Sequence, residues 1–315
     1  MTSLCRTPAW GLLSVAIALL CFALAACGPA QPTLAPAAVP TTPIPTQAPS
    51  ASPAPSPTAP TWPHVLVVAH RGGAALAPEN TLGAFANALK IGVDMVECDV
   101  HLSKDGELVV MHDPDLSRTT DGKGFIYQMN FADIRKLNAA ANFKGGPWPN
   151  EPVPTLGEVL DLVKGKAQAQ IEIKVEKIFG RYPGVEQKVI DAVKARDMVD
   201  DVIIISFDFP TLVEVKKLDP RFKTGALLSN TTLSLSAAKP HDKLVADVVA
   251  QTGADYIMPS SAGVSDLLVN AVHARGLMIG VWTVNSPGEM RRMAEWGVDA
   301  ITTNDPIELK KVLGK

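Results

Sequence analysis

The chain is poor in cysteine, shows no surplus of charge of either sign, and past its first residues has no apolar run long enough to span a bilayer. Basic and acidic residues number 29 and 32. So even a balance gives no field to gather a polyanion, and nucleic-acid binding is excluded as a main activity. Of the four cysteines, Cys5, Cys21 and Cys27 lie at the extreme N-terminus, so Cys98 stands alone in the body and no internal disulfide is available. The body must therefore be stable through its core, with Cys98 a small packing residue. Charge is absent from residues 28–63, which are built largely from Pro, Ala, Thr, Ser and Gln. Such a stretch cannot bury enough surface to fold, and it reads as an extended spacer. In polyproline geometry it reaches on the order of 100 Å.

What precedes the spacer has the form of a secretory signal. Arg6 is its only charged side chain, and an apolar stretch runs from Ala9 to Leu24, too short and wrongly flanked for a membrane-spanning helix. The ending Leu24-Ala25-Ala26-Cys27 resembles a bacterial lipoprotein box, which implies cleavage before Cys27 and acylation of its thiol. The expected organisation is a signal peptide over 1–26, a lipidated Cys27 with its spacer over 27–63, and a folded domain over 64–315. The protein is then exported and lipid-anchored to the membrane surface, on the cell surface or the periplasmic side. Several acyl chains are needed for that, because one binds only marginally.

From Val65 onward, apolar runs of strand length alternate with segments of helical period. The strands are expected at 65–69, 95–101, 168–175, 202–207, 223–229, 255–259, 277–284 and 299–303. Helices are expected at 80–91, 155–164, 184–196, 210–219, 241–252, 264–275, 287–296 and 306–313. Eight alternating pairs predict a parallel (β/α)8 TIM barrel, with a doubly wound open sheet as the lesser alternative. Asp208, Ser286 and Asp305, each just ahead of a proline, are helix-capping candidates. The interval from 101 to 155 is far too long for an ordinary strand-to-helix connection. It reads as a small insertion after strand two, about 113–153, led by the short apolar run Leu108–Met111.

The candidate chemistry lies where strands end. The first apolar run closes on His70-Arg71-Gly72-Gly73, and Leu108–Met111 closes on His112-Asp113. An imidazole titrates near neutrality, so two of them can divide acid and base roles. Strand alternation puts Glu97 and Asp99 on one face and Cys98 on the other; likewise Glu172 and Lys174 share a face. Three carboxylates suit a hard divalent ion, Ca²⁺ or Mg²⁺, better than Zn²⁺. Arg71 is a planar fork for phosphate oxygens, and Lys174 is either a point charge on the phosphate or a counter-ion to the acids. Glu79 and Asn80 open the first helix, as caps or, for Glu79, as a partner of Arg71 or of the metal or substrate. His101 shares the face of Glu97 and Asp99 further along. Trp282 either walls the substrate pocket or packs in the core.

In order and spacing, His70-Arg71-Gly72, Pro78-Glu79-Asn80-Thr81, Glu97-x-Asp99, His112-Asp113-Pro114, Glu172-x-Lys174 and Val281-Trp282-Thr283-Val284-Asn285 resemble the signature blocks of the glycerophosphodiester phosphodiesterase family. The likeness extends over roughly 64–315. It implies metal-dependent cleavage of glycerophosphodiesters to sn-glycerol 3-phosphate and an alcohol. Glu97, Asp99 and Glu172 match the family's metal ligands, and His70 and His112 its acid–base pair; the substrate's own 2-hydroxyl is one possible attacker. The expected partners are a small-molecule diester or lysolipid, one divalent cation, and the membrane through Cys27; nothing implies a protein partner. Two other readings stand beside this one. The same barrel and paired histidines also resemble lysophospholipase D-like enzymes or phosphodiester lyases that stop at a cyclic phosphate, and a non-catalytic surface binding protein could keep the fold.

Overall fold

The computed structural model describes residues 62–175 and 180–315. The expected signal segment, Cys27 and the spacer up to residue 61 lie outside the described residues. Strands β1 (Leu66–Ala69), β2 (Met95–Leu102), β4 (Gln168–Ile173), β5 (Val202–Ser206), β6 (Lys223–Leu228), β7 (Tyr256–Pro259), β8 (Met278–Val281) and β9 (Ala300–Thr303) are each parallel to their neighbours. Pairing of β1 with both β9 and β2 closes the ring, so these eight strands form the expected (β/α)8 barrel. A further strand, β3 (Leu108–Val110), lies antiparallel on the far end of β2.

The helices are α1 (Leu82–Ile91), α2 (Phe131–Ile134), α3 (Leu156–Val163), α4 (Val185–Lys194), α5 (Phe209–Leu218), α6 (Asn230–Leu235), α7 (His241–Thr252), α8 (Asp266–His273), α9 (Pro287–Glu295) and α10 (Pro306–Leu313). Asp208, Ser286 and Asp305 cap α5, α9 and α10 through their side-chain oxygens, as the sequence suggests. Helix α6 is an addition: Asn-Thr-Thr-Leu-Ser-Leu has poor helical propensity, and one turn forms because Ser229 accepts the amide of Thr232. Helix α1 begins later than expected. Its cap is Thr81, whose hydroxyl accepts the Ala84 amide at 3.1 Å, and neither Glu79 nor Asn80 serves as a cap. Among the described residues no helix is long and apolar enough to cross a membrane.

Three apolar clusters divide the interior. The largest, with Phe85, Ile171, Ile190, Phe222 and Ile301, lies between strands and helices, and Cys98 is buried within it, on the opposite strand face from Glu97 and Asp99. A second fills the barrel with Val68, Met95, Ile203, Ile205, Leu227 and Met258, a packed plug rather than a pore. The third, with Val109, Met111, Leu116, Ile126, Ile134 and Val153, gives the insertion its own small core. Just ahead of residue 64, Trp62 packs on the main cluster and its amide donates to Leu313 O at 3.0 Å.

Candidate active site

At the end of β1 the chain turns sharply through His70-Arg71-Gly72-Gly73. Arg71 takes a left-handed conformation (φ 52°), and Gly72 and Gly73 follow at 83° and 94°. Only glycine fits the second of these. A Cβ on Gly72 would come 2.8 Å from the Cβ of Ala84 in α1. The turn aims the Arg71 amide at Glu97 Oε2, 2.8 Å away, so the strained backbone is held by a buried carboxylate.

Glu97 and Asp99 on β2 and Glu172 on β4 are all nearly inaccessible to solvent and offer oxygens that lie within 4.8 Å of one another. Two cations face them. Lys174 Nζ is 2.8 Å from Glu172 Oε1 and 3.2 Å from Asp99 Oδ1; Arg71 Nε, buried without a hydrogen-bond partner, is 3.6 Å from Asp99 Oδ2. Asn80, at φ 57°, donates from Nδ2 to Asp99 Oδ2 at 2.8 Å. Burial would raise Asp99, but Lys174, Arg71, His112 and the Asn80 bond together hold it well below the usual carboxylate range. Glu97 goes the other way: burial, then Asp99 and Glu172, push it well up against the opposing pull of Arg71. Glu172 is also raised, chiefly by burial, with Lys174 opposing and Asp99 adding to it. Three carboxylates against two cations leave a buried negative excess. That arrangement fits an oxygen-preferring divalent ion, which would relieve the repulsion.

The two histidines have one nitrogen each engaged. His70 Nδ1 lies 2.5 Å from Asn304 Oδ1, just past β9, and His112 Nδ1 lies 2.6 Å from Asp113 Oδ1. Both partners are oxygen acceptors, so each Nδ1 carries the proton and each Nε2 is left as the nitrogen for chemistry. Burial and the neighbouring Arg71 lower His70 to about 4. Burial also lowers His112, with Lys174 and Arg71 adding and Asp99 opposing.

A cavity of about 160 Å³ at the carboxyl end of the barrel brings His70, Arg71, Glu97, His112, Glu172 and Trp282 together. Its other wall is Ile205, Phe207, Leu227 and Met258. Trp282 stands just past β8 rather than in mid-strand; its Nε1–H donates to Met258 O at 2.8 Å and its ring meets Phe207 edge-on at 5.2 Å. Lys174 is likewise just past β4, and it lines a second cavity of about 610 Å³ with His112, Glu172, Phe125, Tyr127 and Phe207. His101 is fully buried between Tyr182 Oη (2.9 Å) and His112 O (3.0 Å). Glu79 lines neither of these cavities; it accepts from Nη1 of Arg71, which lines the first, at 2.9 Å.

Sequence reasoning missed three participants: Asn304, Phe207 and Arg118, the last of which binds Glu79 and Asp113. Asn304 and Arg118 are supplied by loops with no periodic signal, and Phe207 by the last position of the expected strand 202–207, one residue past the end of β5. For Asn304 the available cue was its place directly after the last strand, at the barrel end where sites form.

A family model described as the glycerophosphoryl diester phosphodiesterase family matches residues 70–308. A glycerophosphodiester phosphodiesterase of Caldanaerobacter subterraneus subsp. tengcongensis is 36% identical over 250 residues, covering 79% of this chain and 98% of that protein. One from Bacillus subtilis is 34% identical over 261 residues, covering 79% and 86%. Among solved structures, an Oleispira antarctica phosphodiesterase in complex with the product sn-glycerol-3-phosphate superposes with a TM-score of 0.68 at 26% identity, covering 79% of this chain and 97% of that one.

Proposed function

This chain belongs to the glycerophosphoryl diester phosphodiesterase family and is a glycerophosphodiester phosphodiesterase, and from that premise we propose that His70 and His112 perform its proton transfers around a phosphate held by Arg71. The observation that carries this reading is the convergence of both imidazoles, Arg71 and two of the three clustered carboxylates on one cavity.

Arg71 binds the nonbridging oxygens, with Glu79 fixing its guanidinium in plane. His70 lines only the inner cavity and titrates well below its ordinary value, so it is the base that takes the attacking hydroxyl's proton on Nε2. The bond from that oxygen to phosphorus forms as the bond to the leaving alcohol breaks. His112 lines both cavities and gives its Nε2 proton to the departing alkoxide, the anionic phosphodiester beside it favouring the imidazolium. Glu97, Asp99 and Glu172 would hold a divalent cation, Ca²⁺ or Mg²⁺, whose charge would stabilise the phosphoryl oxygens. Lys174 balances the carboxylates, and Trp282 walls the glycerol. The net products are sn-glycerol 3-phosphate and an alcohol, which takes up the proton from His112, and one water is consumed. It is either the attacker itself or, where the substrate's own 2-hydroxyl attacks, the nucleophile that opens the resulting cyclic phosphate, with the two imidazoles exchanging roles. Ahead of the catalytic domain over 64–315, we propose that Cys27 is lipidated after removal of 1–26 and that the spacer over 27–63 stands the enzyme off the membrane outside the cytoplasm.

The test is release of glycerol 3-phosphate from glycerophosphocholine by the full chain, with and without chelator, beside His70→Ala and His112→Ala. Release that needs the cation and is lost in both variants supports the reading. A cyclic phosphate that persists as end product would overturn the hydrolytic step in favour of a lyase.

A further inference from the structure

Arg118 sits on a tight loop of the insertion, between β3 and α2. Its guanidinium spans two carboxylates: Nη1 donates to Glu79 Oε2 at 2.9 Å and Nη2 to Glu79 Oε1 at 2.6 Å, while Nε donates to Asp113 Oδ2. Each of those carboxylates also binds a residue of the site, Glu79 through an oxygen it shares with Arg118 and Asp113 through its second oxygen. Glu79 Oε1 accepts from Arg71 Nη1 at 2.9 Å, and Asp113 Oδ1 accepts from His112 Nδ1 at 2.6 Å. The five side chains form one unbroken line, Arg71, Glu79, Arg118, Asp113, His112, with charge alternating along it.

The loop is built to hold Arg118 still. Leu116 and Ile126 anchor it in the insertion's core. Their amides close it against Gly124 O and Pro114 O, each at 2.9 Å. Asn142 Nδ2 ties the carbonyls of Ser117 and Thr120 at 3.2 and 2.8 Å. Such fixing is more than an exposed ion pair needs, since surface pairs contribute little to stability by themselves. Arg118 is 46% exposed, so its contacts matter for geometry more than for folding.

We propose that Arg118 is a positioning residue that sets the phosphate clamp and the acid imidazole in register, acting on Arg71 through Glu79 and on His112 through Asp113. The fork shape is required, because one lysine ammonium cannot hold both oxygens of Glu79 and also reach Asp113. Docking of the insertion thereby becomes part of assembling the site. The inference rests on the roles given above to Arg71 and His112.

The experiment is a cycle in kcat/KM on the full chain with its cation and glycerophosphocholine. Glu79→Gln is expected to act mainly on KM and Asp113→Asn mainly on kcat, with Arg118→Ala moving both and lowering kcat/KM by about 10²-fold, the scale of a small misplacement of reacting groups. Added to the Glu79→Gln, Asp113→Asn double variant, Arg118→Ala should cost less than about threefold, because its two targets are gone. A thermal midpoint is measured for each variant. Should Arg118→Ala unfold, Arg118→Lys keeps the stem and charge and carries the same comparison. Equal losses in both backgrounds, or no loss in either, overturn the proposal. Arg71→Ala and His112→Ala are the controls: if they stay active, the functional reading itself fails, and if they are inactive while Arg118→Ala is not, only this inference fails.

Discussion

Asn304, directly after the last barrel strand, accepts a hydrogen bond from Nδ1 of His70, directly after the first, at 2.5 Å. The contact crosses the seam where β1 pairs with β9. It occupies Nδ1 of the ring, leaving Nε2 for the proton transfer proposed above, and it ties the site to closure of the barrel.

That bond makes a pH prediction. His70 titrates near 4 instead of 6.5, because it is buried beside Arg71, so the acidic limb of kcat/KM should lie well below pH 6.5. Replacing Asn304 with Asp sets a negative charge on the same nitrogen, favours the imidazolium, and should move that limb upward. For stability the sign follows from proton uptake: between these two pKa values the unfolded chain binds more protons at His70 than the folded one. The stabilisation is complete above 6.5 and is lost as pH falls towards 4. Thermal midpoints of wild type and His70→Asn across that window should converge toward neutrality and separate toward acid, with the variant less sensitive.

Glu97→Gln separates stability from activity. Glu97 is raised by burial and by Asp99 and Glu172, so without a cation it strains the fold. In chelator the variant should melt higher than wild type, whereas glycerol 3-phosphate release should fall by about 10²-fold or more as the proposed cation site loses a negative charge. A lower melting point in chelator would contradict the repulsion argument.

Gly72→Ala should cost about 1–3 kcal/mol in a urea titration, given its φ of 83° and the 2.8 Å approach to Ala84. Activity should fall as well, since the same turn carries His70 and Arg71.

Thr81 and Asn80 are adjacent and should behave differently. Thr81→Ala removes the cap of α1 and should cost about 1 kcal/mol of stability. Asn80→Gly tolerates the φ of 57° but loses the 2.8 Å bond to Asp99. It should therefore reduce turnover far more than stability, read as kcat beside the urea midpoint.

Local periodicity determines a good deal of this protein. A period of two places Glu97 and Asp99 on one face of β2 and Cys98 on the other, and does the same for Glu172 and Lys174 relative to Ile171 and Ile173. Alternation of strand and helix runs specifies eight parallel strands, and parallel strands joined by helices put every strand end, and hence His70, Arg71 and Trp282, at one mouth. All of these relationships are set by a residue's near neighbours in the chain, so they can be read without a structure. The partner of His70, and the guanidinium that joins Glu79 to Asp113, cannot. His70 meets Asn304 only because the ring closes, and Arg118 reaches Glu79 and Asp113 only because the insertion folds back on its own core of Leu116, Ile126 and Ile134. Even the cap of α1 went to Thr81 rather than its neighbours because the backbone turns Asn80 toward Asp99 on another strand. Periodicity specifies which way a side chain points; what stands opposite depends on closure and docking between segments far apart in sequence, and only the tertiary structure decided that.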